Sequence, residues 1–412
     1  MNILHVTQNY YPSFGGTQHT MRKVSEYLHK NFNDEVTVYT TNSLYGPNNA
    51  AFEKIEKREE NINGVHVKRF GFVRMHKPFI KYLSKASVKL SGKSLPFYFT
   101  DLGMGPVSAS LKQALLTTGA DVICASSVHY RFADYGIIRK NIKDPKPFVL
   151  YGALHLASGD IPVKYLERIQ ASDQYIANSE FEKNYLINKG VHEEKITVAG
   201  AATDILSYVK GMHVNENALR VKYKLAAGDK TIVYIGRQET YKSIDVLIKA
   251  FLQLKNAGER VKLVIEGAKG SYSETLAAIT EREKNILVLA DISNEDKCSF
   301  LQVADVVVLP SKEESFGVVF LEAWSFKKPV IGAAIGAIAS IVDDGKDGYL
   351  FNPDNADDLA EKIKNILDNP QQASAMGNEG YKKVQSLYTW DKIAATFREA
   401  YCAAIKFFES DH

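Results

Sequence analysis

The sequence predicts an α/β protein of two domains, each built on a mainly parallel sheet. Short apolar runs alternate with helical patterns in both halves of the chain, which is typical of parallel α/β layers. A chain of 412 residues is too long for one hydrophobic core and suggests two domains of about 200 residues each. Apolar residues make up 45% of the chain and charged residues 24%, as in ordinary globular proteins.

Each predicted strand is a short run of apolar, often β-branched residues. In the first half, a strand over Ile3–Val6 precedes a helix over 17–30, and a helical pattern over Trp390–Phe408 ends the chain. Further strands of the first half are expected at Val36–Thr40, Val65–Phe70, Val122–Ala125, Phe148–Tyr151, Gln174–Ala177 and Ile196–Val198. Those of the second half are Thr231–Ile235, Val261–Glu266, Ile286–Leu289, Val306–Leu309 and Pro329–Ile331.

The net charge, the number of cysteines and the hydropathy of the chain argue against several classes of protein. The net charge of +3 is too small to indicate nucleic-acid binding. Cys124, Cys298 and Cys402 are odd in number and lack metal-ligand spacing, which favours free thiols in a reducing compartment. The first residues lack a secretory signal, and no apolar run is long enough to span a membrane. We therefore expect a cytoplasmic protein.

The stretch over residues 310–332 is the most informative in the chain. It follows the apolar run Val306–Leu309 and begins with a loop that contains Glu314. A helix is predicted to start near Phe316–Gly317 and to contain Glu322. Open α/β sheets bind ligands at the carboxyl ends of their strands, and the first amides of a helix attract anions. Because carboxylates accept hydrogen bonds from hydroxyls, the stretch predicts a ligand with both hydroxyl and phosphate groups.

Two further motifs also follow predicted strands. Gly15 and Gly16 lie between the first strand and the first helix, where they either let the backbone approach a phosphate or make a plain turn. Arg237 and Lys242 follow the strand Thr231–Ile235. They are either a pair that neutralises a diphosphate leaving group or ordinary solvated cations.

Two weaker motifs complete the set. His155 follows the strand Phe148–Tyr151 and either bonds a sugar hydroxyl or acceptor, or has a structural role. The loop Gly267–Gly270 follows Val261–Glu266 and either forms a wall beside a base or phosphate, or is a flexible turn.

Together these motifs resemble the retaining glycosyltransferases of family four. The resemblance rests on Gly236–Arg237 with Lys242, on the Glu-x7-Glu pair Glu314 and Glu322, and on Asp344–Tyr349. It implies a GT-B fold, with two Rossmann-like doubly wound domains facing a cleft. The implied divisions are an acceptor-side domain over 1–204, a nucleotide-sugar domain over 205–389, and a terminal helix over 390–412 that crosses back to the first domain.

The resemblance also implies a role for each matching residue. Arg237 and Lys242 would hold the diphosphate, Glu314 the sugar hydroxyls and Glu322 the ribose, with His155 near the transferred sugar. The expected catalytic set is Glu314, His155, Arg237 and Lys242. The expected donor-binding set is Gly15, Gly16, Arg237, Lys242, Gly267, Ser315, Phe316, Gly317 and Glu322. In the family a glycine often follows the lysine, whereas this chain has Ser243.

The implied reaction moves a sugar from a nucleotide-diphosphate sugar to a glycan or lipid-linked acceptor with retention of configuration. A role in cell-surface polysaccharide or lipopolysaccharide assembly is expected. No Asp-x-Asp pattern occurs in the chain, so we expect no metal site and no cofactor. The alternatives are a nucleotide-sugar epimerase of the same fold and a non-catalytic nucleotide- or glycan-binding protein.

One segment suggests a further partner. Residues 61–100 contain no Asp or Glu, and lysines recur there at every fourth position from Lys77 to Lys93, interleaved with aromatic residues. On a helix this spacing makes a slowly drifting stripe. The segment over 68–93 therefore either docks on the anionic inner face of a membrane or is a solvated helix face.

Overall fold

The structure is a computed structural model that describes most of the chain. The described residues are 1–13, 15–45, 52–73, 77–93, 107–152, 160–205, 216–226, 228–290 and 292–411, with Leu95, Gly105, Leu154 and Leu156. They form two compact units, the first over 1–154, 160–200 and 390–412 and the second over 201–389. Among the described residues, no helix combines the length and apolarity needed to cross a membrane.

The first unit is a doubly wound α/β domain. Its sheet has the strand order β10-β9-β8-β7-β1-β2-β6-β5, in which β5 alone among these runs antiparallel. The strands of this sheet are β1 (Asn2–Thr7), β2 (Glu35–Thr41), β5 (Glu59–Ile62), β6 (Val65–Phe70), β7 (Val122–Ser126), β8 (Phe148–Tyr151), β9 (Gln174–Ala177) and β10 (Ile196–Val198). Strands β3 (Ser43–Tyr45) and β4 (Phe52–Lys54) pair with each other in a separate antiparallel sheet. The helices are α1 (Gly16–Phe32), α2 (Lys77–Ser91), α3 (Ala109–Leu116), α4 (Phe132–Lys140), α5 (Val163–Ala171) and α6 (Glu180–Asn188).

The second unit repeats this architecture with a parallel sheet of order β13-β12-β11-β14-β15-β16. Its strands are β11 (Lys230–Ile235), β12 (Val261–Glu266), β13 (Ile286–Leu289), β14 (Val306–Leu309), β15 (Val330–Ala333) and β16 (Gly348–Phe351). The helices are α7 (Glu216–Lys222), α8 (Ile244–Asn256), α9 (Ser273–Arg282), α10 (Asn294–Val303), α11 (Val318–Ser325), α12 (Gly336–Ile341), α13 (Ala356–Asp368) and α14 (Pro370–Leu387). The central strands β11 and β14 are almost wholly buried, as expected of parallel strands covered by helices.

The last helix, α15 (Trp390–Asp411), packs within the first unit. Tyr401 of this helix lies 2.9 Å from His5 Nε2, while Nδ1 of the same ring lies 2.7 Å from Ser25 Oγ on α1. Burial lowers the pKa of His5 to about 3, so the ring is neutral and its two nitrogens serve one as donor and one as acceptor. Arg398 adds an ion pair to Asp34 at 2.9 Å. These contacts join the end of the chain to its first strand.

The sequence predictions of the secondary structure are confirmed at most positions. Strands β6, β8, β12 and β14 have the predicted bounds, and α11 begins at Val318, one residue beyond the expected start. Strands β3, β4, β5 and β16 were not predicted. Strand β5 lies at the sheet edge with alternating exposure and contains charged residues, so it lacks the apolar run that marks a buried strand.

The basic segment is divided between two elements. Lys68 and Arg69 lie on β6, where they form ion pairs with Glu59 and Glu60 of β5. These ion pairs set Lys68 and Arg69 apart from the lysines that recur at every fourth position. The stripe belongs to α2, and Lys93 lies just beyond the end of that helix.

Candidate functional site

The sheet of the second unit places a ligand site between β11 and β14. Strand β11 pairs with β12 on one side and with β14 on the other, so the chain order reverses at this point. In open α/β sheets, the crevice outside the carboxyl ends of two such strands binds ligands. The residues that follow Ile235 and Leu309 therefore lie at this crevice.

The loop after β11 is held rigidly against the loop after β12. Gly236 N–H donates to Glu266 O at 2.8 Å, and Gln238 N–H donates to Ala268 O at 3.0 Å. The buried amide of Gln238 also donates to Gly267 O at 3.0 Å. An ideal Cβ at Gly267 would lie only 2.0 Å from Gly236 O, which explains why this position needs glycine. The loop Gly267–Gly270 is thus a fixed support for the cationic loop.

Lys242 and Glu314 join the loops that follow the two central strands. Lys242 Nζ lies 2.5 Å from Glu314 Oε1, and only 12% and 14% of these side chains are exposed. Lys312 N–H donates to Tyr241 O at 3.3 Å, which adds a backbone link between the same loops. Lys242 retains donor capacity beyond Glu314, because an ammonium carries three N–H groups. The pair therefore presents a fixed cation beside a fixed carboxylate.

Arg237 extends the cationic surface at the same strand end. Its side chain is 53% exposed and donates to the hydroxyl of Tyr241 at 2.7 Å. The ring of Tyr241 in turn lies 5.0 Å from Lys242 Nζ, within the range of a cation–π contact. Hydrogen bonds from Ser271 hold the pKa of neighbouring Glu239 below its usual range, so this carboxylate stays charged near Arg237. Tyr241 is a residue that sequence reasoning missed.

The turn that carries Lys242 has an unusual backbone. Thr240–Lys242 forms a single 3₁₀ turn, and Ser243 follows in the left-handed region at φ +53°. Glycine adopts this conformation without steric cost, which accounts for its frequent use here in the family that the sequence resembles. Ser243 adopts the same conformation while buried, so the substitution keeps the turn that places Lys242.

The segment before α11 supplies backbone donors rather than side chains. Phe316 is buried and meets the ring of Tyr388 edge to face at 5.3 Å, which fixes the entry to the helix. Gly317 has φ +96° and caps α11, leaving the first amides of the helix outside its own hydrogen-bond ladder. Ser311 Oγ is buried and has no hydrogen-bond partner among the described residues. It lies two residues beyond β14 and was not among the predicted site residues.

Glu322 lies within α11 and has a partner of its own. Lys297 Nζ of α10 lies 2.6 Å from Glu322 Oε1, with 23% and 12% of the two side chains exposed. The structure thus separates the two carboxylates of the Glu-x7-Glu pattern, one bound to Lys242 and one to Lys297. Sequence reasoning did not find Lys297, because nothing in the sequence shows which face of α10 turns toward α11.

The Asp344–Tyr349 motif has a structural place in the second unit. Asp347 O accepts a hydrogen bond from the buried indole of Trp324 at 2.8 Å, and its carboxylate pairs with Lys383 of α14. Burial raises the pKa of Asp347, and the Lys383 charge opposes that shift. The motif leads into β16 and ties α11 to α14.

His155 lies outside the described residues, but its neighbour Leu154 is anchored. Leu154 N–H donates to Glu182 Oε1 at 3.4 Å, and Asn178 N–H donates to Glu182 Oε2 at 2.8 Å. The hydroxyl of Tyr175 donates to Glu182 Oε1 at 2.5 Å. Burial raises the pKa of Glu182 to about 7 despite these hydrogen bonds. Glu182 therefore holds the backbone at Leu154 and Asn178.

Gly15 and Gly16 belong to the first unit and lie at the start of α1. Gly15 has φ +147°, and α1 has no acidic side chain in its first turn. The nearby carboxyl ends of β1, β2 and β7 carry buried polar atoms without a hydrogen-bond partner among the described residues. These atoms are Gln8 Oε1, Asn9 Oδ1, Asn42 Oδ1, Ser43 Oγ and Ser126 Oγ. The chain order of the first sheet reverses between β1 and β7, so this edge is also expected to bind a ligand.

Residues 215–383, which include all of the second unit's site, match the family described as Glycosyl transferases group 1. This stretch of the chain is therefore similar to that family. The D-inositol 3-phosphate glycosyltransferase of Corynebacterium aurimucosum is 27% identical over 246 residues, which cover 58% of each chain. The capsular polysaccharide biosynthesis glycosyltransferase CapM of Staphylococcus aureus is 27% identical over 64% of this chain and 68% of CapM. The chain thus spans about three-fifths of the length of the first of these relatives and about two-thirds of CapM.

The fold is that of the GT-B glycosyltransferases. The crystal structure of Anabaena Alr3699/HepE in complex with UDP and glucose superposes with a TM-score of 0.70. The superposition covers 97% of this chain and 98% of the Anabaena chain, and the two sequences are 19% identical. The prediction of two Rossmann-like doubly wound domains is therefore confirmed.

Proposed function

We propose that this protein is a retaining glycosyltransferase that uses a nucleotide-diphosphate sugar. The observation that carries the proposal is the pairing of Lys242 with Glu314 beside Arg237, at the strand ends where such folds bind ligands. Two cations suit a diphosphate, and a fixed carboxylate suits the hydroxyls of a sugar. Alr3699/HepE binds UDP and glucose, and the family description agrees with this chemistry.

In the proposed reaction, the acceptor oxygen bonds to the anomeric carbon as the bond from that carbon to phosphate breaks. The electron pair leaves with the nucleoside diphosphate, and the acceptor proton passes to the departing phosphate oxygen. Negative charge therefore grows on the diphosphate, where Arg237 and Lys242 stabilise it most in the transition state. We propose that these two cations and the first amides of α11 replace the metal that neutralises the leaving group in other transferases.

The remaining donor contacts follow from the same placement. We propose that Glu322 accepts hydrogen bonds from the ribose, while amides at Ser315, Phe316 and Gly317 hold phosphate or sugar oxygens. Ser311 Oγ has unused hydrogen-bonding capacity at the same edge. His155 is proposed to contact the transferred sugar, and Gly15 and Gly16 to approach the phosphates.

The acceptor is proposed to be a glycan or a lipid-linked saccharide. The first unit offers buried acceptor atoms at Gln8, Asn9 and Asn42, which have no partner among the described residues and match the hydroxyls of a saccharide. A role in cell-surface polysaccharide assembly draws support from the likeness to CapM, whose name assigns it to capsular polysaccharide biosynthesis.

The proposal is tested by following donor consumption in the presence of EDTA, with UDP-, GDP- and ADP-sugars and a panel of saccharide acceptors. We expect a glycosylated product whose new bond keeps the anomeric configuration of the donor, as read by NMR. Lys242→Met and Glu314→Gln should each lower turnover by about 100-fold or more, since one buried charged contact in a transition state contributes roughly 3 kcal/mol. Lys249→Met, on an exposed lysine of the same unit, is the matched control.

Three outcomes would overturn the proposal. Normal turnover in both Lys242→Met and Glu314→Gln would show that these residues do not form the catalytic site. An epimer formed from the donor alone would identify an epimerase instead. Tight donor binding without transfer to any acceptor would identify a binding protein.

A further inference from the structure

Helix α2 exposes an apolar face to solvent. Ile80 is buried and anchors the helix to the unit. Phe79, Leu83 and Leu90 are spaced by four and seven residues and therefore lie on one side of the helix. Their exposed fractions are 51%, 36% and 88%, and Tyr82 beside them is 68% exposed. Large apolar side chains grouped in this way on a surface mark an interaction site.

The border of this face carries charge of a single sign. Lys85 and Lys89 follow Tyr82 by three and seven residues, so they share its side of the helix, and both are exposed. Among the described residues, no carboxylate pairs with either lysine or with Lys93. Residues 61–100 contain no Asp or Glu in the sequence. The surface is thus apolar along one side and cationic along its edge.

We propose that α2 docks this protein on an anionic lipid membrane surface. The apolar side chains of α2 would enter the boundary between headgroups and acyl chains, while Lys85, Lys89 and Lys93 contact lipid phosphates. The helix spans 15 residues, which gives it about four turns along which to contact such a surface.

Charge favours a membrane over a second copy of the chain. A twofold interface places the same patch of both copies together, so the lysines of one copy would face the lysines of the other. An anionic leaflet instead neutralises all of them, at about 1 kcal/mol for each basic residue. The proposal extends beyond the transfer reaction and holds or fails whether or not the protein transfers a sugar.

The test measures co-sedimentation of the full chain with vesicles at low ionic strength. We expect binding to phosphatidylcholine vesicles that contain phosphatidylglycerol, weak binding to phosphatidylcholine alone, and loss of binding as salt is raised. Changing Lys85, Lys89 and Lys93 together to Gln should weaken binding by roughly 100-fold, from about 1 kcal/mol for each lysine. The same change at Lys249, Lys284 and Lys382, which are exposed on the second unit, is the matched control and should bind as the unchanged protein does.

A second variant tests the apolar face. Tyr82→Trp places an indole on the exposed side of α2, whereas the native Trp324 and Trp390 are buried and give a constant background. We expect vesicles to shift the added emission to the blue and brominated lipids to quench it, and Leu90→Ser to reduce both effects.

The proposal is wrong if the unchanged protein does not bind anionic vesicles. It is equally wrong if the triple Gln variant at α2 binds as tightly as its control. Self-association that Leu90→Ser abolishes, without vesicle binding, would show that a second copy covers this face.

Discussion

Replacing Gly267 by alanine tests whether the cationic loop needs its present support. An ideal Cβ at Gly267 lies 2.0 Å from Gly236 O and 3.3 Å from Arg237 N, and both are backbone atoms that cannot rotate away. Real Cβ contacts stay above 3.0 Å, so the loops after β11 and β12 must separate by about 1 Å. Such overpacking costs about 1–3 kcal/mol of folding stability.

The same displacement moves Arg237 and the turn that bears Lys242. A shift of about 1 Å in a positioning element can lower turnover about 100-fold. The assay pairs urea unfolding with the rate of donor consumption. Gly258→Ala is the matched control, because Gly258 also has positive φ, at +93°, but its Cβ would meet no atom within 4 Å. Both variants place alanine at a positive φ, so the difference between them in stability and turnover reports the contact with Gly236.

The reasoning would be refuted if Gly267→Ala matched Gly258→Ala in both stability and turnover. Loss of stability with normal turnover would show that Gly267 supports the fold alone. We expect turnover to fall by more than the decrease in the folded fraction explains.

Two further predictions concern the carboxylates Glu322 and Glu182. Glu322→Gln should raise KM for the donor about tenfold or more with little change in kcat, since a hydrogen bond to a charged group contributes about 1.5–3 kcal/mol. Steady-state kinetics measure this, and equal effects on both constants would contradict a ribose contact. Burial raises the pKa of folded Glu182 to about 7 from its ordinary 4.5, so the folded state retains a proton that the unfolded state releases between these values. Glu182 should therefore lower the free energy of unfolding as pH rises through this window, by at most about 1.4 kcal/mol per pH unit. In urea unfolding at several pH values, Glu182→Gln should lack this dependence.

The strands were predictable because parallel, buried strands leave a clear mark in the sequence. Val306–Leu309 and Val261–Glu266 are apolar runs bounded by polar loops, and the structure has them with those bounds. The polar residues after such strands must share one sheet edge. That argument led to Glu314 and Lys242, which the structure joins across 72 positions of sequence.

Other features depended on contacts that the sequence does not display. Lys297 reaches Glu322 only because α10 turns one face toward α11, and Tyr241 acts through its hydroxyl and ring. Arg69 was assigned to a basic surface, but its strand pairs with β5 and buries it against Glu60. In each case the decisive quantity is the direction of a side chain, which composition and spacing leave open.

The most direct measurement of the central claim is thermal unfolding with nucleotide-diphosphate sugars and EDTA, for the unchanged protein and for Lys242→Met. A ligand at about 100 times its Kd should stabilise the fold by about 2.7 kcal/mol and raise Tm by several degrees. We predict that one nucleotide class stabilises the unchanged protein and that Lys242→Met loses most of the shift, while Lys249→Met keeps it. Equal shifts in all three proteins, or no shift with any donor, would contradict a donor site built on Lys242 and Glu314.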